Sequence, residues 1–412
     1  MEKNMKPSFI TQIEKGDKNS SIMKNIISYY VNNSTSTIPD LAKDLGLSAP
    51  TVTKMVNEVC EGGLLTDHGK VEGHWGRRPV LYGFNPDSGY FFGVDVKRTY
   101  VNLGIINFMG EFVALEMGLP LTMDDFSSDQ AIEEICVIIK DFMNEITVPK
   151  DKIYYGCIAL SGRVNPDTGF SYSTLPLSER PLNDLFAEKL GLPVCIDNDT
   201  RAMTYGDCLS GKVVKGAKNI LFINMSLGLG MGMVINGNIV KGKSGYSGEV
   251  GHFPAFDNEI MCHCGKKGCL ETEISGGALK RRVVQSLLDG KKSVLSDKIS
   301  KKGADAITLS DIISAIEEED MLCIEVLENI AGELGKWLAG FINIFNPELV
   351  IIGGTLAQTG DYLIRPIKQA VQKYTLKLVS QDSKIIVSRL GEKAGVLGAA
   401  LTARNKILFD NN

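Results

Sequence analysis

The sequence has no apolar run approaching the roughly 18 residues that a spanning helix needs, and the polar start Met1 to Pro7 lacks the apolar stretch of a secretory signal. The expected compartment is therefore the cytoplasm, with no membrane partner. An excess of positive charge is also missing: 44 Lys and Arg face 49 Asp and Glu, a net charge of −5. That excludes a surface coated with basic residues for nucleic acid, but not a local basic face. Residues 1–85 hold ten basic against nine acidic side chains, so DNA binding must be argued from pattern rather than from charge. Nor do the nine cysteines form a secreted disulfide framework, because they are scattered apart from three packed between Cys262 and Cys269. That cluster points to a metal. What is present is a chain of 412 residues, 44% hydrophobic and 23% charged, enough for two or three packed units.

Apolar residues at Ile22, Ile26, Ile27 and Tyr30 predict an amphipathic helix within Ser21 to Val31. A second helix starts after Thr37, whose hydroxyl can take the backbone N–H three residues on, with Pro39 and Asp40 suited to its first turn. Leu41, Ala42 and Leu45 form its apolar face. Gly46 permits a tight turn, Leu47 plugs the core, and Ser48 can cap a third helix with Val52, Met55, Val56 and Val59 in one stripe. The opposite face offers Thr51, Lys54 and Asn57, groups that reach phosphates and base edges. Two short strands, Leu64 to Thr66 and Val80 to Tyr82, flank a wing whose tip carries Arg77 and Arg78, suited to a minor groove. The order of these parts favours a DNA reader that uses Ser48, Thr51, Lys54, Asn57, Arg77 and Arg78. The alternative is a protein-binding or purely structural module of the same shape.

From Tyr90 the character changes to apolar strands, glycine turns and amphipathic helices, an α/β pattern. A weak internal repeat appears in it. Phe91 to Val96, Val101 to Ile106 and Glu111 to Val113 form one meander; Ile220 to Asn224, Met233 to Ile235 and Asn238 to Val240, interrupted by the glycine run Gly228 to Gly232, form another. Two matching meanders predict two similar lobes facing each other across a ligand cleft. The segment Lys291 to Thr308 is expected to be a solvated surface insertion, and Ile324 to Phe345 a helix lining a lobe core or a dimer face.

Four motifs in order then become specific: Asp197, Asn198 and Asp199; the run 248–252 with Glu249 and His252; the cluster 262–271 with Cys262, Cys264, Cys269 and Glu271; and the stretch from Asn346 to Gly353 and Gly354. Together, across residues 90 to 405, they resemble the ROK family of repressors, open reading frames and sugar kinases, and the preceding winged helix resembles that of its repressor branch. The resemblance implies an α/β chain in which an N-terminal winged helix-turn-helix (1–85) precedes a two-lobed actin-like, ribonuclease-H-like sugar kinase fold. Its lobes are expected at 86–200 and 201–412, with the C-terminal helix free to return to the first. It implies structural zinc on His252, Cys262, Cys264 and Cys269, with His263 a solvent-facing neighbour. It also implies a sugar site of Asn198, Asp199, Glu249, His252 and Glu271, with Asp199 at the general-base position of a kinase.

Both phosphate-binding turns depart from the kinase pattern. Lys97 and Arg98 replace a glycine pair, and Leu229 replaces a threonine between two glycines. The expected function is therefore a sugar-responsive transcriptional regulator, a repressor by family analogy, without catalysis. Its partners are a double-stranded DNA operator and a small sugar, for which an N-acetylated hexosamine, glucose and xylose are each compatible. Pairing of recognition helices on a near-palindromic site implies a homodimer or homotetramer. An ATP-dependent sugar kinase and a regulator controlled by a protein partner stand as alternatives.

Overall fold

The apolar stripe near the N-terminus forms α1, Lys18–Asn33, which buries Met23, Ile26, Ile27 and Tyr30. The computed structural model describes residues 18–70, 78–122, 129–175, 179–209 and 216–409. Helix α2 (Ile38–Leu45) begins at Thr37, whose side chain accepts from the Asp40 N–H, and ends at Gly46 in the left-handed region at φ 64°. Helix α3 (Ala49–Glu61) is capped by Ser48 accepting from Thr51 N–H, and it buries Val52, Met55, Val56 and Val59 as the spacing predicts. Leu45 and Leu47 are only half-buried. Strand β1 (Thr35–Thr37) escapes a reading based on periodicity because it is three residues long. It pairs antiparallel with β3 (Val80–Phe84), which also pairs with β2 (Leu65–Lys70). The tip between β2 and β3, including Arg77, lies outside the described residues.

The chain divides into two compact units, one of residues up to 202 together with 395 onward, the other of residues 203–394. The first holds the winged helix and a five-stranded sheet. Strands β4 (Tyr90–Val96), β5 (Tyr100–Asn107) and β6 (Phe112–Pro120) form the antiparallel meander, and β7 (Ile153–Leu160) lies parallel to β4. After the small hairpin of β8 (Val164–Asn165) and β9 (Phe170–Ser171), β10 (Val194–Asn198) adds in parallel to β7. One face packs Phe92, Val94 and Val96 against Ile132, Ile135 and Ile139 of the helix Asp129–Glu145.

The other face takes the last helix, Lys393–Leu408, and Gly93 lets it come close. A Cβ at Gly93 would lie 2.2 Å from the Val396 carbonyl oxygen and 2.5 Å from the Ala400 nitrogen, both backbone atoms that cannot swing aside. Gly93→Ala is expected to cost about 2 kcal/mol, a Tm fall of roughly 4–8 °C. An unchanged thermal melt would show that the helix does not seat there. The winged helix meets this face through rings: Tyr30 and Phe84 are 6.4 Å apart, Phe84 and Phe108 stack at 5.9 Å, and Phe108 meets Phe91 edge-on at 4.8 Å. Arg404 of the last helix donates to the Phe108 carbonyl at 2.9 Å.

In the second unit, β11 (Ile220–Met225), β12 (Leu229–Ile235) and β13 (Asn238–Ile239) form the second meander, while β14 (Leu349–Gly353) and β15 (Lys384–Val387) extend it in parallel. Its order, β13-β12-β11-β14-β15, repeats that of the first sheet, β6-β5-β4-β7-β10, so the internal repeat is a duplication of topology. The glycine run differs from the expected turn: Gly230 and Gly232 lie within β12. A Cβ at Gly232 would stand 1.7 Å from the Thr204 hydroxyl, so bare backbone in the strand makes room for the helix beside it. The helix Met321–Phe345 buries Leu327, Ile330, Leu334 and Leu338 in the core of this unit. Residues 291–308 are not a purely solvated insertion, since they contain the helix Ser296–Lys302 and anchor through buried Leu295 and Ile307. Among the described residues no helix is long and apolar enough to cross a membrane.

Candidate functional site

On α3, Lys54 and Asn57 are exposed and Thr51 half-buried, while Ser48 stands exposed at the helix start with its hydroxyl 2.8 Å from that of Thr51. The buried valines and Met55 fix which way this face points. Lys54 lies 3.8 Å from Glu58 and is 66% exposed, so the pair leaves its ammonium in solvent. Arg78 is exposed at the base of the wing.

The end of β10 delivers Asn198 and Asp199. The Asn198 side chain donates to the Gly162 carbonyl at 2.8 Å and accepts from the Arg201 N–H at 2.9 Å, so it also caps the helix Asp199–Leu209. Asp199 accepts from the Ser161 hydroxyl at 2.7 Å and from the Asn198 amide at 3.2 Å. Neighbouring Asp197 is tied to Arg201 in a buried ion pair, which leaves Asn198 and Asp199 as the polar pair of this segment. Ser161 has no motif of its own in the sequence, and its position just after β7 is the signal that marks it. The Asn165 turn closes the β8–β9 hairpin, its carbonyl side-chain oxygen accepting from Asp167 and Thr168 N–H.

The second unit carries Glu249, His252 and Glu271 together with the cysteines. His252 stands at the end of the short turn Val250–His252, its Nε2 3.6 Å from Glu249 and its Nδ1 3.5 Å from Cys262 Sγ. Cys264 and Cys269 have their sulfurs 3.6 Å apart, and the four donor atoms lie within 4.8 Å of one another. Tetrahedral zinc with bonds of about 2.3 Å to sulfur and 2.0–2.1 Å to nitrogen sets sulfurs about 3.8 Å apart and sulfur to nitrogen about 3.5 Å. The donor set fits that ion in type, and the His252–Cys262 and Cys264–Cys269 distances fit it in spacing. Gly268 shapes the loop: its φ is 69°, and a Cβ there would lie 1.9 Å from the Phe256 carbonyl oxygen.

Burial would raise the Cys264 thiol, but the Lys266 backbone N–H and the neighbouring thiols outweigh it and hold it below its ordinary value. Glu271, with only 8% of its side chain exposed, is likewise held below the usual carboxylate range: burial alone would raise it, and hydrogen bonds from His263 and Cys262 prevail. Its Oε1 sits 2.9 Å from His263 Nδ1 and 2.9 Å from Cys262 Sγ. His263 is 71% exposed as expected of a solvent-facing neighbour, yet its ring also contacts the predicted sugar carboxylate.

Of the altered turns, Lys97 folds inward, Nζ 2.9 Å from Asp95, whereas Arg98 stays exposed. In the second unit Gly354, φ 85°, closes over Met225, and Thr355 N–H and hydroxyl reach Ser226, which donates to Asn224 at 2.7 Å.

A model of the ROK family matches residues 91–406, three quarters of the chain. The chain belongs to the ROK family. A winged helix-turn-helix DNA-binding model matches residues 20–66 of this ROK protein, spanning α1 to α3. A glucokinase of Halalkalibacterium halodurans is 33% identical over 312 residues, 75% of this chain and 93% of that one. A xylose repressor of Caldicellulosiruptor bescii is 29% identical over 361 residues, 87% of this chain and 89% of that one. Among solved structures, a ROK family transcriptional regulator described as a homologue of the Escherichia coli MLC protein superposes with a TM-score of 0.76 at 26% identity, covering 94% of this chain and 96% of its own.

Proposed function

We propose that this ROK protein is a sugar-responsive transcriptional repressor that does not phosphorylate its sugar. The observation that carries the reading is the extent of the similarity: the xylose repressor match covers 87% of this chain, more than all the residues after 85, and so must run into the first 85, whereas the glucokinase match covers 75% of it. A chain that joins a winged helix to a kinase-like domain has a use for sugar binding other than catalysis.

In this reading α3 enters the major groove, with Ser48, Thr51, Lys54 and Asn57 toward phosphates and bases, and Arg77 and Arg78 on the wing reach the adjacent groove. We assign sugar recognition to Asn198, Asp199, Glu249, His252 and Glu271. Asp199 is prearranged as an acceptor by Ser161 and Asn198, so it can take a hydrogen bond from a hydroxyl without reorganising. His252, Cys262, Cys264 and Cys269 would hold zinc, which supplies a cross-link between the 248–252 turn and the 262–271 loop and leaves no open coordination position. His252 Nδ1 then faces the metal and Nε2 faces Glu249, so that metal and sugar carboxylate share one ring. The operator is read by a homodimer or homotetramer in the cytoplasm.

The test is fluorescence anisotropy on DNA from upstream of the protein's own gene, titrated with a panel of sugars while ATP turnover is followed. Tight, salt-sensitive binding released by one sugar without ATP consumption is the expected result; sugar-dependent ATP turnover without specific DNA binding would overturn the proposal in favour of a kinase. The kinase reading rests on one specific observation, a carboxylate at the general-base position with a hydroxyl donor already on it. Asp199→Asn is expected to weaken the releasing sugar by roughly 10- to 150-fold, the worth of a hydrogen bond to a charged group. Its operator affinity without sugar should stay at the wild-type value, and equal loss of both would place Asp199 in folding rather than in recognition.

A further inference from the structure

The zinc and sugar readings give His263 no task, yet the fold does not leave it loose. It lies between two sulfur donors on a tight turn: Gly265 N–H donates to the Cys262 carbonyl at 2.9 Å, and Cys262 N–H donates to the Lys266 carbonyl at 2.8 Å. That turn sets the His263 ring edge-on to the ring of His252, centroids 5.2 Å apart, and brings its Nδ1 to 2.9 Å from Glu271 Oε1. His263 itself is exposed, but the carboxylate is 8% exposed, so the bond ends on a group largely shielded from water. The same Oε1 takes a second donor, the Cys262 thiol, at 2.9 Å. Oε2 stands beside Gly228, where an added Cβ would lie 3.0 Å from it.

Metal binding would not treat these two donors alike. A thiol that coordinates zinc gives up its proton, so Cys262 could no longer donate to Glu271 and would set a negatively charged sulfur against the carboxylate. The His263 N–H escapes that change, because the quartet suited to zinc is His252 with the three cysteines. The other grouping, His252, His263 and Glu271, shares His252 with that quartet and lacks the thiolates that zinc favours. Zinc loading therefore takes away one of the two bonds on Oε1 and leaves the other to His263. A carboxylate pinned at one oxygen presents the second at a fixed angle, whereas an unpinned one turns away from the sulfur. We infer that His263 is the positioning residue of Glu271: in the zinc-loaded protein its Nδ1–H holds Oε1 beside the Cys262 sulfur and so aims Oε2 at the ligand. The inference rests on the zinc and sugar readings above and adds a residue that neither uses.

The experiment reads the proton and the ligand separately, on the zinc-loaded full-length protein. The chain has four histidines, so nitrogen-15 labelling of histidine resolves them by nuclear magnetic resonance at about pH 9, where imidazoles are neutral, and the signal lost in His263→Asn identifies the ring. His263 is expected to carry its proton on Nδ1, the tautomer that a free imidazole disfavours, and Glu271→Ala to return it to Nε2. In calorimetric titrations with glucose, xylose and N-acetylglucosamine, His263→Ala is expected to weaken the sugar that wild type binds by roughly 5-fold or more, the worth of one hydrogen bond. His263→Asn, whose amide N–H can stand in for Nδ1–H, is expected to stay within about twofold of wild type. Zinc content and operator affinity without sugar should be unchanged in both variants. With zinc bound, a proton on Nε2 in the wild type, or equal sugar affinity of His263→Ala and wild type, would overturn the assignment. Loss of zinc in His263→Ala would overturn it too, by making the ring a metal ligand. A wild type that binds none of the three sugars counts against the sugar reading, and the tautomer then decides whether His263 holds Glu271.

Discussion

Cys264→Ser is expected to lower the melting temperature by roughly 6–20 °C and to cut the zinc content of protein purified without chelator well below the one ion per chain expected of wild type. The magnitude follows from the site. Structural zinc on four such donors binds with roughly 10–16 kcal/mol in isolated peptides, and losing about a third of that gives about 3–5 kcal/mol. Each kcal/mol moves the melt of a unit this size by roughly 2–4 °C. Backbone hydrogen bonds such as Cys262 N–H to Lys266 and Leu270 N–H to Phe253 also hold the loop, so the substitution is expected to loosen it rather than unfold the unit. The same substitution is expected to weaken the sugar, since His252 and Glu271 lie in contact with Cys262. Elemental analysis and calorimetry check both parts. A wild type without near-stoichiometric zinc, together with an unchanged melt, would remove the metal from the account.

Thr51→Ala/Asn57→Ala is expected to reduce operator affinity by roughly 30- to 10⁴-fold, taking about 1–3 kcal/mol for each group that reads a base edge. The fold should survive, because neither side chain belongs to the buried stripe of α3, and the Ser48 cap on the Thr51 backbone N–H does not need the threonine hydroxyl. Lys54→Ala is expected to behave differently: weaker binding on every sequence and a shallower salt dependence by about one unit, as for a single phosphate contact. Anisotropy at several salt concentrations separates the two. Equal affinity of the double variant and wild type for the operator would mean that α3 does not lie in the groove.

The features that rest on local chemistry are legible in the amino-acid sequence. The stripe Val52, Met55, Val56 and Val59, the Thr37 and Ser48 caps and the Gly46 turn each involve residues a few positions apart, and each forms as the pattern predicts. The candidate metal donors are legible because three of them fall within eight residues. Strand β1 is hidden because Thr37 carries two jobs, ending the strand and capping α2, and only the second has a signature in sequence. The start of β12 is hidden because glycine usually marks a turn, and the demand for bare backbone comes from Thr204, which precedes Gly232 by 28 residues on a different element. Ser161 beside Asp199 follows from the way β7 and β10 line up in the sheet, a pairing that no local pattern encodes.

The rings that link Tyr30 through Phe84 and Phe108 to Phe91 bear on how such proteins can be cut and recombined. The sequence changes character near residue 85, which invites dissection at that point, yet Phe84 on one side stacks on Phe108 on the other, and Arg404, hundreds of residues later, holds the Phe108 backbone. A fragment ending at 85 would carry a bared phenylalanine on its surface and leave a matching scar on the remainder. Chimaeras that graft this reading head onto another sensor should therefore transplant the partner ring with it, since the seam between the modules is a piece of shared core and not a string.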